Sequence, residues 1–219
     1  MRAPGGRVGV LGGTFDPVHA GHVAVARQAR HLLGLDRVLL VPSSRPPHRE
    51  PPVAGAEDRL AMTRLAVAGE AGLEADDVEV RRGGTSYTVD TLRELRRRHP
   101  GGELVLLVGE DAALDLATWR EGAAIAGLAS LVVFNRSRSS TPPDDEAHPA
   151  GPHDPSAAAT RLTVESPDIS ATAVRAALAR HEDLAEMLPP SVLEYIRERG
   201  LYSPPPGSAG EGAVIIPPQ

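Results

Sequence analysis

The chain of 219 residues contains no cysteine and no lysine, and only 3% of its residues are aromatic. Without cysteine it forms no disulfide bond, which is typical of cytoplasmic proteins. Without lysine, arginine is the only side chain that carries a permanent positive charge. With so few aromatic residues, alanine, leucine and valine must fill most of the core, for which a hydrophobic content of 41% is ample.

The sequence also has no apolar run that approaches the roughly 18 residues of a membrane helix, and residues 1–7 lack the apolar segment of a signal peptide. Its formal net charge of −6 argues against general binding to nucleic acid. We therefore expect a cytoplasmic protein without a membrane or nucleic-acid partner, and the length suits one domain. The sequence leaves open whether the chain forms a homo-oligomer.

Strand and helix patterns alternate from residue 7 to about residue 136 and return after residue 160. Strands are predicted at 8–11, 37–41, 78–80, 104–108, 131–134 and 161–164. Helices are predicted at 23–33, 57–68, 88–99, 170–180 and 191–199. Apolar strands separated by helices are typical of a parallel sheet covered by helices on both faces, so we expect an α/β fold.

Two segments break this alternation. Residues 137–159 and 203–219 hold ten of the 21 prolines, among mostly small and polar residues. Such chain buries too little apolar surface to offset the entropy lost on ordering. We therefore predict one domain over 1–202, with a flexible insertion at 137–159 and a disordered tail at 203–219.

The most informative stretch is Gly-Gly-Thr-Phe-Asp-Pro-Val-His-Ala-Gly-His at 12–22. Gly12 and Gly13 lie where the first predicted strand ends, and His19 and His22 lie where a helix begins. Glycines let a polyanion approach the backbone, and a helix N-terminus offers free N–H groups and a partial positive charge. The stretch therefore indicates a phosphate-binding site to which two imidazoles are added.

Two other interpretations of the histidines are weaker. His19 and His22 would share a helix face, as a pair of zinc ligands does, but no H-E-x-x-H motif, cysteine or third ligand at a telling spacing accompanies them. They could also be ordinary structural histidines. The stretch matches neither the G-x-G-x-x-G dinucleotide fingerprint nor the P-loop.

The same stretch resembles the H-x-G-H motif of the nucleotidyltransferase superfamily, and its full pattern is similar to that of the bacterial nicotinate-nucleotide adenylyltransferases. Those enzymes join ATP to nicotinate mononucleotide, giving nicotinate adenine dinucleotide and pyrophosphate. The resemblance implies a Rossmann-like domain with a small helical C-terminal part. It makes His19 and His22 catalytic, with His22 donating to the α-phosphate. It assigns contacts with ATP to Gly12, Gly13, Thr14, Phe15 and Gly21.

A second stretch, Ile-Ser-Ala-Thr-Ala-Val-Arg at 169–175, opens another predicted helix. Taken alone it is a helix start, capped by Ser170 or Thr172, with a surface arginine one turn inside. It resembles the I-S-x-T-x-x-R element of the same superfamily, in which the helix N-terminus and the arginine hold the β- and γ-phosphates of ATP. The resemblance makes Arg175 a catalytic residue and places Ile169, Ser170 and Thr172 against ATP.

A third cluster concerns the acceptor. Ser86-Tyr87-Thr88 opens a predicted helix and is similar to the S-Y-T of the nicotinate-nucleotide enzymes, whose backbone amides here and near a Thr-Trp pair meet the nicotinate carboxylate. Thr118-Trp119 is the matching pair, and the resemblance stacks the indole on the pyridine ring. A lone tryptophan in an aromatic-poor chain otherwise fills the core, but its charged neighbours favour a half-exposed position.

The same resemblance extends to two further places and a metal ion. Asp111 comes after the predicted strand 104–108, and a carboxylate there is assigned to the ribose of the nucleotide. The P-P-H-R sequence at 46–49 resembles the family's P-P-H-[KR] loop, which assigns His48 and Arg49 to the acceptor side, with the basic residue near the phosphates. Mg²⁺ is expected to bridge the phosphates of ATP, so no metal site built from the protein is predicted.

Other functions on the same fold remain as alternatives. Pantetheine-phosphate adenylyltransferases and cytidylyltransferases share this fold. The segment Ser86–Thr88 and Trp119 argue against both of these functions. A nucleotide-binding module without chemistry would have no need of His19, His22 and Arg175. The predicted substrates are therefore ATP and nicotinate mononucleotide.

Overall fold

The structure is a computed structural model that describes residues 5–47, 50–137 and 159–203. His48 and Arg49, together with most of the predicted insertion and tail, lie outside the described residues. The expectations for these segments stay predictions.

Six parallel strands form one sheet. In chain order they are β1 (Arg7–Gly13), β2 (Arg37–Pro42), β3 (Leu73–Ala75), β4 (Glu103–Gly109), β5 (Ser130–Ser137) and β6 (Thr160–Glu165). Their order across the sheet is β3-β2-β1-β4-β5-β6. Val8 of β1 pairs with Arg37 on one side and with Leu104 on the other. The chain order reverses between β1 and β4, and in sheets of this class ligands bind outside the carboxyl ends of the strands at such a point.

Helices cover both faces of the sheet. In the described part of the chain they are α1 (Ala20–Leu32), α2 (Ala56–Val67), α3 (Val78–Arg82), α4 (Thr88–Arg98), α5 (Glu110–Ala113), α6 (Gly122–Leu128), α7 (Ala171–Ala179) and α8 (Pro190–Arg199), with a 3₁₀ turn at Leu116–Thr118. Side chains from α1, α2, α7 and α8 pack in one core cluster, and side chains from α3 to α6 pack in the other. No helix in the described ranges is long and apolar enough to cross a membrane.

The central strands are apolar over their whole length because both faces are covered. In β4, Leu104, Leu106 and Val108 face one cluster, while Val105 and Leu107 face the other, and all five are at most 5% exposed. Side chains of a strand point alternately to the two faces, so a doubly covered strand needs an unbroken apolar run. The predicted parallel α/β fold is confirmed.

One predicted strand is wrong. Residues 78–80 belong to α3, and the edge strand is the three-residue β3 just before it. The Val-Glu-Val alternation is typical of a strand, but Asp76 Oδ1 accepts the N–H of Val78 at 2.9 Å and turns the chain. Val78 and Glu79 are both buried. Two neighbouring residues can both be buried on a helix, whereas on a half-exposed strand their side chains would point to opposite faces.

The small helical C-terminal part is formed by α7 and α8. Tyr195 of α8 donates its hydroxyl to Asp58 of α2 at 2.8 Å, and Arg199 forms an ion pair with the same carboxylate at 3.1 Å. α8 ends as predicted, with Gly200 directly after it. The φ of Gly200 is 61°, a left-handed conformation that glycine adopts more easily than other residues.

Candidate active site

The two predicted phosphate-binding helix starts lie side by side at the carboxyl end of β1. α1 begins at Ala20, directly after His19, and its first turn contacts the segment that leads into α7. Ser166 Oγ donates to the carbonyl oxygen of Gly21 at 3.3 Å. A Cβ on Gly21 would lie 3.3 Å from the carbonyl oxygen of Pro167 and 3.1 Å from Nδ1 of His19. The glycine of H-x-G-H therefore lets the two segments approach closely.

The two histidine rings stack at the start of α1. Their centroids are 3.7 Å apart, with His19 buried and His22 partly exposed. The backbone N–H of His19 donates to Nδ1 of His22 at 3.2 Å. Because Nδ1 accepts this bond, the neutral His22 ring carries its proton on Nε2. The edge contact between the rings of His22 and Phe15, at 4.9 Å, also fixes this orientation.

The two glycines at the end of β1 have different surroundings: Gly12 borders open space, and Gly13 lies against the ring of Phe15. A Cβ on Gly12 would meet no atom within 4 Å, so the backbone there faces open space. A Cβ on Gly13 would lie 2.8 Å from the ring of Phe15, which itself has a left-handed φ of 50°. This geometry leaves room for a bulky group beside the strand end.

A buried arginine that sequence reasoning missed holds the loops around the site. Arg59 is 1% exposed and donates to three carbonyl oxygens, those of Thr14 (2.7 Å), Ser44 (3.0 Å) and Ala54 (3.1 Å). Burial lowers the pKa of Arg59 from its ordinary value, and the nearby carboxylate of Asp16 opposes that effect. Arg59 lies one turn before the buried Thr63 on the core side of α2, and no local sequence signal marks it.

Arg175 reaches from α7 to the loop between β1 and α1. Its Nη1 lies 2.7 Å from the carbonyl oxygen of Asp16 and 3.9 Å from Oδ2 of the same residue, and its Nη2 lies 3.3 Å from Oγ1 of Thr172. Ser170 caps α7, because its side chain accepts the N–H of Ala173 at 3.1 Å. Of the two predicted caps, Ser170 is the one observed, and Ile169 beside it is buried.

The carboxylate of Asp16 is buried and accepts hydrogen bonds from three donors. These are the backbone N–H groups of Val53 and Ala54 and the hydroxyl of Tyr202, at 2.8, 3.0 and 2.7 Å. Burial, together with the hydrogen bond to Asp16, raises the pKa of the Tyr202 hydroxyl well above its ordinary range. Asp16 lies in the H-x-G-H stretch at 12–22, and sequence reasoning gave it no role.

The predicted acceptor segment forms the start of α4. Ser86 is buried, and its Oγ accepts the N–H of Ser44 at 2.9 Å, while its own N–H donates to the carbonyl of Arg45. The Ser86 hydroxyl is therefore occupied inside the protein. What the segment presents to a ligand is the ring of Tyr87 and the first N–H groups of the helix that begins at Thr88.

The second acceptor segment borders the first. The guanidinium of Arg120 lies 4.6 Å from the centroid of the Tyr87 ring, and Arg93 of α4 forms an ion pair with Glu121 at 2.5 Å. Trp119 is half-buried and packs against the core cluster on this face. It therefore fills part of the core and exposes part of its ring, as both interpretations of a lone tryptophan allow. Asp111 is exposed in α5, directly after β4.

Glu79 is a buried carboxyl group behind the start of α4. Its Oε1 accepts the hydroxyl of Thr91 at 2.6 Å, and it also hydrogen-bonds Ser86. Arg82 donates to Thr91 Oγ1 at 3.1 Å. Burial raises the pKa of Glu79, and the hydrogen bonds from Ser86 and Thr91 oppose part of that rise. Glu79 lay inside the wrongly predicted strand, which hid its place in this network.

The described part of the chain holds no cluster of three or more His, Asp or Glu side chains that could bind a metal ion. Besides the carboxylates of Asp16 and Asp111, the groups that surround the strand ends are imidazoles, guanidinium groups and helix N-termini. These are ligands for anions, and above all for phosphates.

Comparison with known proteins agrees with this chemistry. Residues 10–177 match the Cytidylyltransferase-like family. A probable nicotinate-nucleotide adenylyltransferase of Thermus thermophilus is 42% identical, over 90% of this chain and 99% of that protein. The relatives of the same name from Gloeobacter violaceus and Geobacter sp. strain M21 are 41% and 39% identical, over 93% and 90% of this chain and 100% and 98% of theirs.

Solved structures show the same fold at lower identity. The nicotinic acid mononucleotide adenylyltransferase of Plasmodium falciparum, complexed with NaAD, has a TM-score of 0.68 and 16% identity, and covers 90% of this chain and 97% of its own. A putative nicotinate-nucleotide adenylyltransferase from Vibrio parahaemolyticus has a TM-score of 0.64 and 18% identity, with 92% and 96% covered. Given relatives 39–42% identical along at least nine-tenths of its length, this chain belongs to the Cytidylyltransferase-like family and, within it, to the nicotinate-nucleotide adenylyltransferases.

Proposed function

We propose that this chain is a cytoplasmic enzyme of NAD biosynthesis that transfers the adenylyl group of ATP to nicotinate mononucleotide. The 5′-phosphate oxygen of the mononucleotide attacks the α-phosphorus of ATP, and the bond from that phosphorus to the bridging oxygen breaks. The products are nicotinate adenine dinucleotide and pyrophosphate. The observation that carries the proposal is the contact between the two phosphate-binding helix starts, made by Arg175 and Asp16 at the end of β1.

No residue need bond covalently to the substrate, because both reactants are phosphates. Catalysis then consists of positioning and of stabilising the charge that develops on the transferred group. His22 supplies a donor, since its Nδ1 is occupied by the N–H of His19 and its proton lies on Nε2. His19, stacked on this ring, fixes its orientation.

The triphosphate lies between the N-termini of α1 and α7. The open space at Gly12 and the N–H groups at Thr14 and Phe15 suit the phosphates and ribose of ATP, and Asp111 at the end of β4 suits ribose hydroxyls. Arg175 and the N-terminus of α7 hold the β- and γ-phosphates, which leave as pyrophosphate. Mg²⁺ arrives as part of the MgATP substrate and keeps most of its ligands from phosphate and water.

The acceptor lies against the start of α4. The first N–H groups of this helix face the nicotinate carboxylate, and the exposed part of Trp119 stacks on the pyridine ring. A helix N-terminus favours an anion by about 0.3–2 kcal/mol. Nicotinate should therefore be preferred over the neutral nicotinamide by roughly 2- to 30-fold from this contact alone.

The test is pyrophosphate release from ATP with a panel of acceptors at equal concentration. We expect nicotinate mononucleotide to give the highest kcat/KM, ahead of nicotinamide mononucleotide, with phosphopantetheine inactive. Equal kcat/KM for the two mononucleotides would contradict the acceptor assignment. Binding of ATP without pyrophosphate release from any acceptor would instead indicate a nucleotide-binding module.

A further inference from the structure

The carboxylate of Asp16 lies within the site, yet the groups that donate hydrogen bonds to it all belong to the protein itself. It is 6% exposed, its Oδ1 accepts from Ala54 and Tyr202, and its Oδ2 accepts from Val53. A carboxylate with three donors in place has little capacity left for a substrate group. Its effect on the reaction must therefore pass through its neighbours.

The neighbour that matters is Arg175. Its Nη1 is 3.9 Å from Oδ2 of Asp16 but only 2.7 Å from the carbonyl oxygen of the same residue. Charge-assisted hydrogen bonds between a guanidinium and a carboxylate are normally about 2.7–2.9 Å long. The carboxylate is thus held back from a direct hydrogen bond with Arg175, and the arginine is oriented by a neutral carbonyl. A guanidinium held in this way keeps its charge for a phosphate.

The hydroxyl group of Tyr202, which helps to hold the carboxylate of Asp16, comes from the segment after the last helix. Tyr202 follows the C-terminus of α8 and has a left-handed φ of 61°, which is unfavourable for a tyrosine and is maintained by its surroundings. Its hydroxyl is 2.7 Å from Oδ1 of Asp16, a residue 186 positions earlier in the chain. The turn after α8 therefore delivers one hydroxyl group to the back of the phosphate site.

We propose that Tyr202 is a positioning residue for ATP: by holding the carboxylate of Asp16, it keeps the guanidinium of Arg175 oriented and available to the β- and γ-phosphates. Without the hydroxyl, Oδ1 retains only the N–H of Ala54, and the carboxylate can rotate toward Arg175 and neutralise it. The assignment rests on the proposed function, in which Arg175 holds the phosphates that leave.

The chain offers a matched control. Tyr195 also donates its hydroxyl to an aspartate, Asp58, at 2.8 Å, but this carboxylate pairs with Arg199 of the same helix and not with Arg175. Tyr202→Phe and Tyr195→Phe each remove one oxygen atom and one hydrogen bond between tyrosine and aspartate. Both variants are expected to lose some general stability. Only Tyr202→Phe is expected to disturb the positioning of the phosphates.

The experiment measures the Kd for MgATP by calorimetry, with thermal unfolding of each variant, so that it does not depend on the acceptor or on turnover. We expect Tyr202→Phe to bind MgATP about 3- to 30-fold more weakly, which lies inside the range of roughly 2- to 160-fold for coupling in one hydrogen-bond network. Tyr195→Phe should bind it as the wild type does. In an Arg175→Ala background, Tyr202→Phe should have no further effect, because the residue through which it acts is gone.

Three binding results would overturn the assignment. They are wild-type affinity in Tyr202→Phe, equal weakening in Tyr195→Phe, and a loss in Tyr202→Phe that persists without Arg175. A Tyr202→Phe chain that does not fold would also overturn it, because the hydroxyl would then be needed for the fold itself. If no acceptor supports pyrophosphate release but this binding pattern is found, the proposed function fails and the role of Tyr202 stands.

Discussion

Both arginines that shape the phosphate side of the site are held by main-chain oxygen atoms and not by close carboxylates. Arg59 donates to three loop carbonyls, and Arg175 donates to the carbonyl of Asp16. A carbonyl orients a guanidinium without cancelling its charge, whereas a paired carboxylate does both. Because the chain has no lysine, the positive charge available to bind a triphosphate depends on how the guanidinium groups are held.

His22 provides the sharpest test at the scale of single residues. If its Nε2 donates to charge that develops on the α-phosphate, His22→Ala should lower kcat by about 10²–10³ while the Kd for ATP changes little. His31→Ala is the control, because that histidine is exposed in the last turn of the same helix. Steady-state kinetics and calorimetry give both quantities. An unchanged kcat with a raised KM would mean that His22 binds only the ground state.

At the scale of elements, the short helix α3 shows where sequence patterns fail. Its first four residues alternate in polarity as a strand does, and the turn that precedes them includes a hydrogen bond from the N–H of Val78 to the side chain of Asp76. The longer elements were predictable because their periodicity extends over several turns or an unbroken apolar run. The predicted strand at 104–108 and helix at 88–99 agree with β4 and α4 to within a residue or so.

The packing of α3 against α4 gives a pH-dependent prediction. Burial raises the pKa of Glu79 in the folded protein above its unfolded value, so the folded state binds this proton more tightly. The stabilising contribution of the protonated group is complete at low pH and is lost as the pH rises from the unfolded toward the folded pKa. The neutral variant Glu79→Gln escapes this loss, so its Tm relative to the wild type should rise between pH 4 and pH 8.

Thermal unfolding across that range measures the difference, since about 1 kcal/mol changes the Tm of a domain this size by about 2–4 °C. Glu57→Gln, on the first turn of α2, controls for the change in net charge. A difference in Tm between Glu79→Gln and wild type that is the same at every pH would show that burial of this carboxyl group does not govern its ionisation.

At the scale of the whole molecule, the sequence indicates which segments form the site but not what holds them together. The helix starts at residues 20 and 171 could be predicted from local signals. The contacts of Asp16 with Arg175 and Tyr202 span 159 and 186 positions, and no local pattern encodes a pairing across such a distance. Arg59 and Glu79 escaped notice for a related reason: each is a charged residue whose burial follows only from tertiary packing.

The two proline-rich segments give the last prediction. Residues 138–158 and 204–219 lie outside the described residues, and together they contain ten of the 21 prolines but none of the residues assigned to the site. Because their composition offers little apolar surface to offset ordering, removing 204–219 or replacing 138–158 with a short Gly/Ser linker should leave kcat/KM and Tm nearly unchanged. The truncation ends at Ser203 so that Tyr202 keeps its bond to Asp16.

Limited proteolysis of the intact chain should cut both segments first, because exposed and poorly packed backbone is cleaved most readily. The two variants separate the ways in which this expectation can fail. A large loss of kcat/KM in the truncated chain would mean that residues 204–219 take part in the site. If the linker variant changes its mass in solution by light scattering, residues 138–158 form an interface between copies of the chain, and the assignment of that segment as a flexible insertion is wrong.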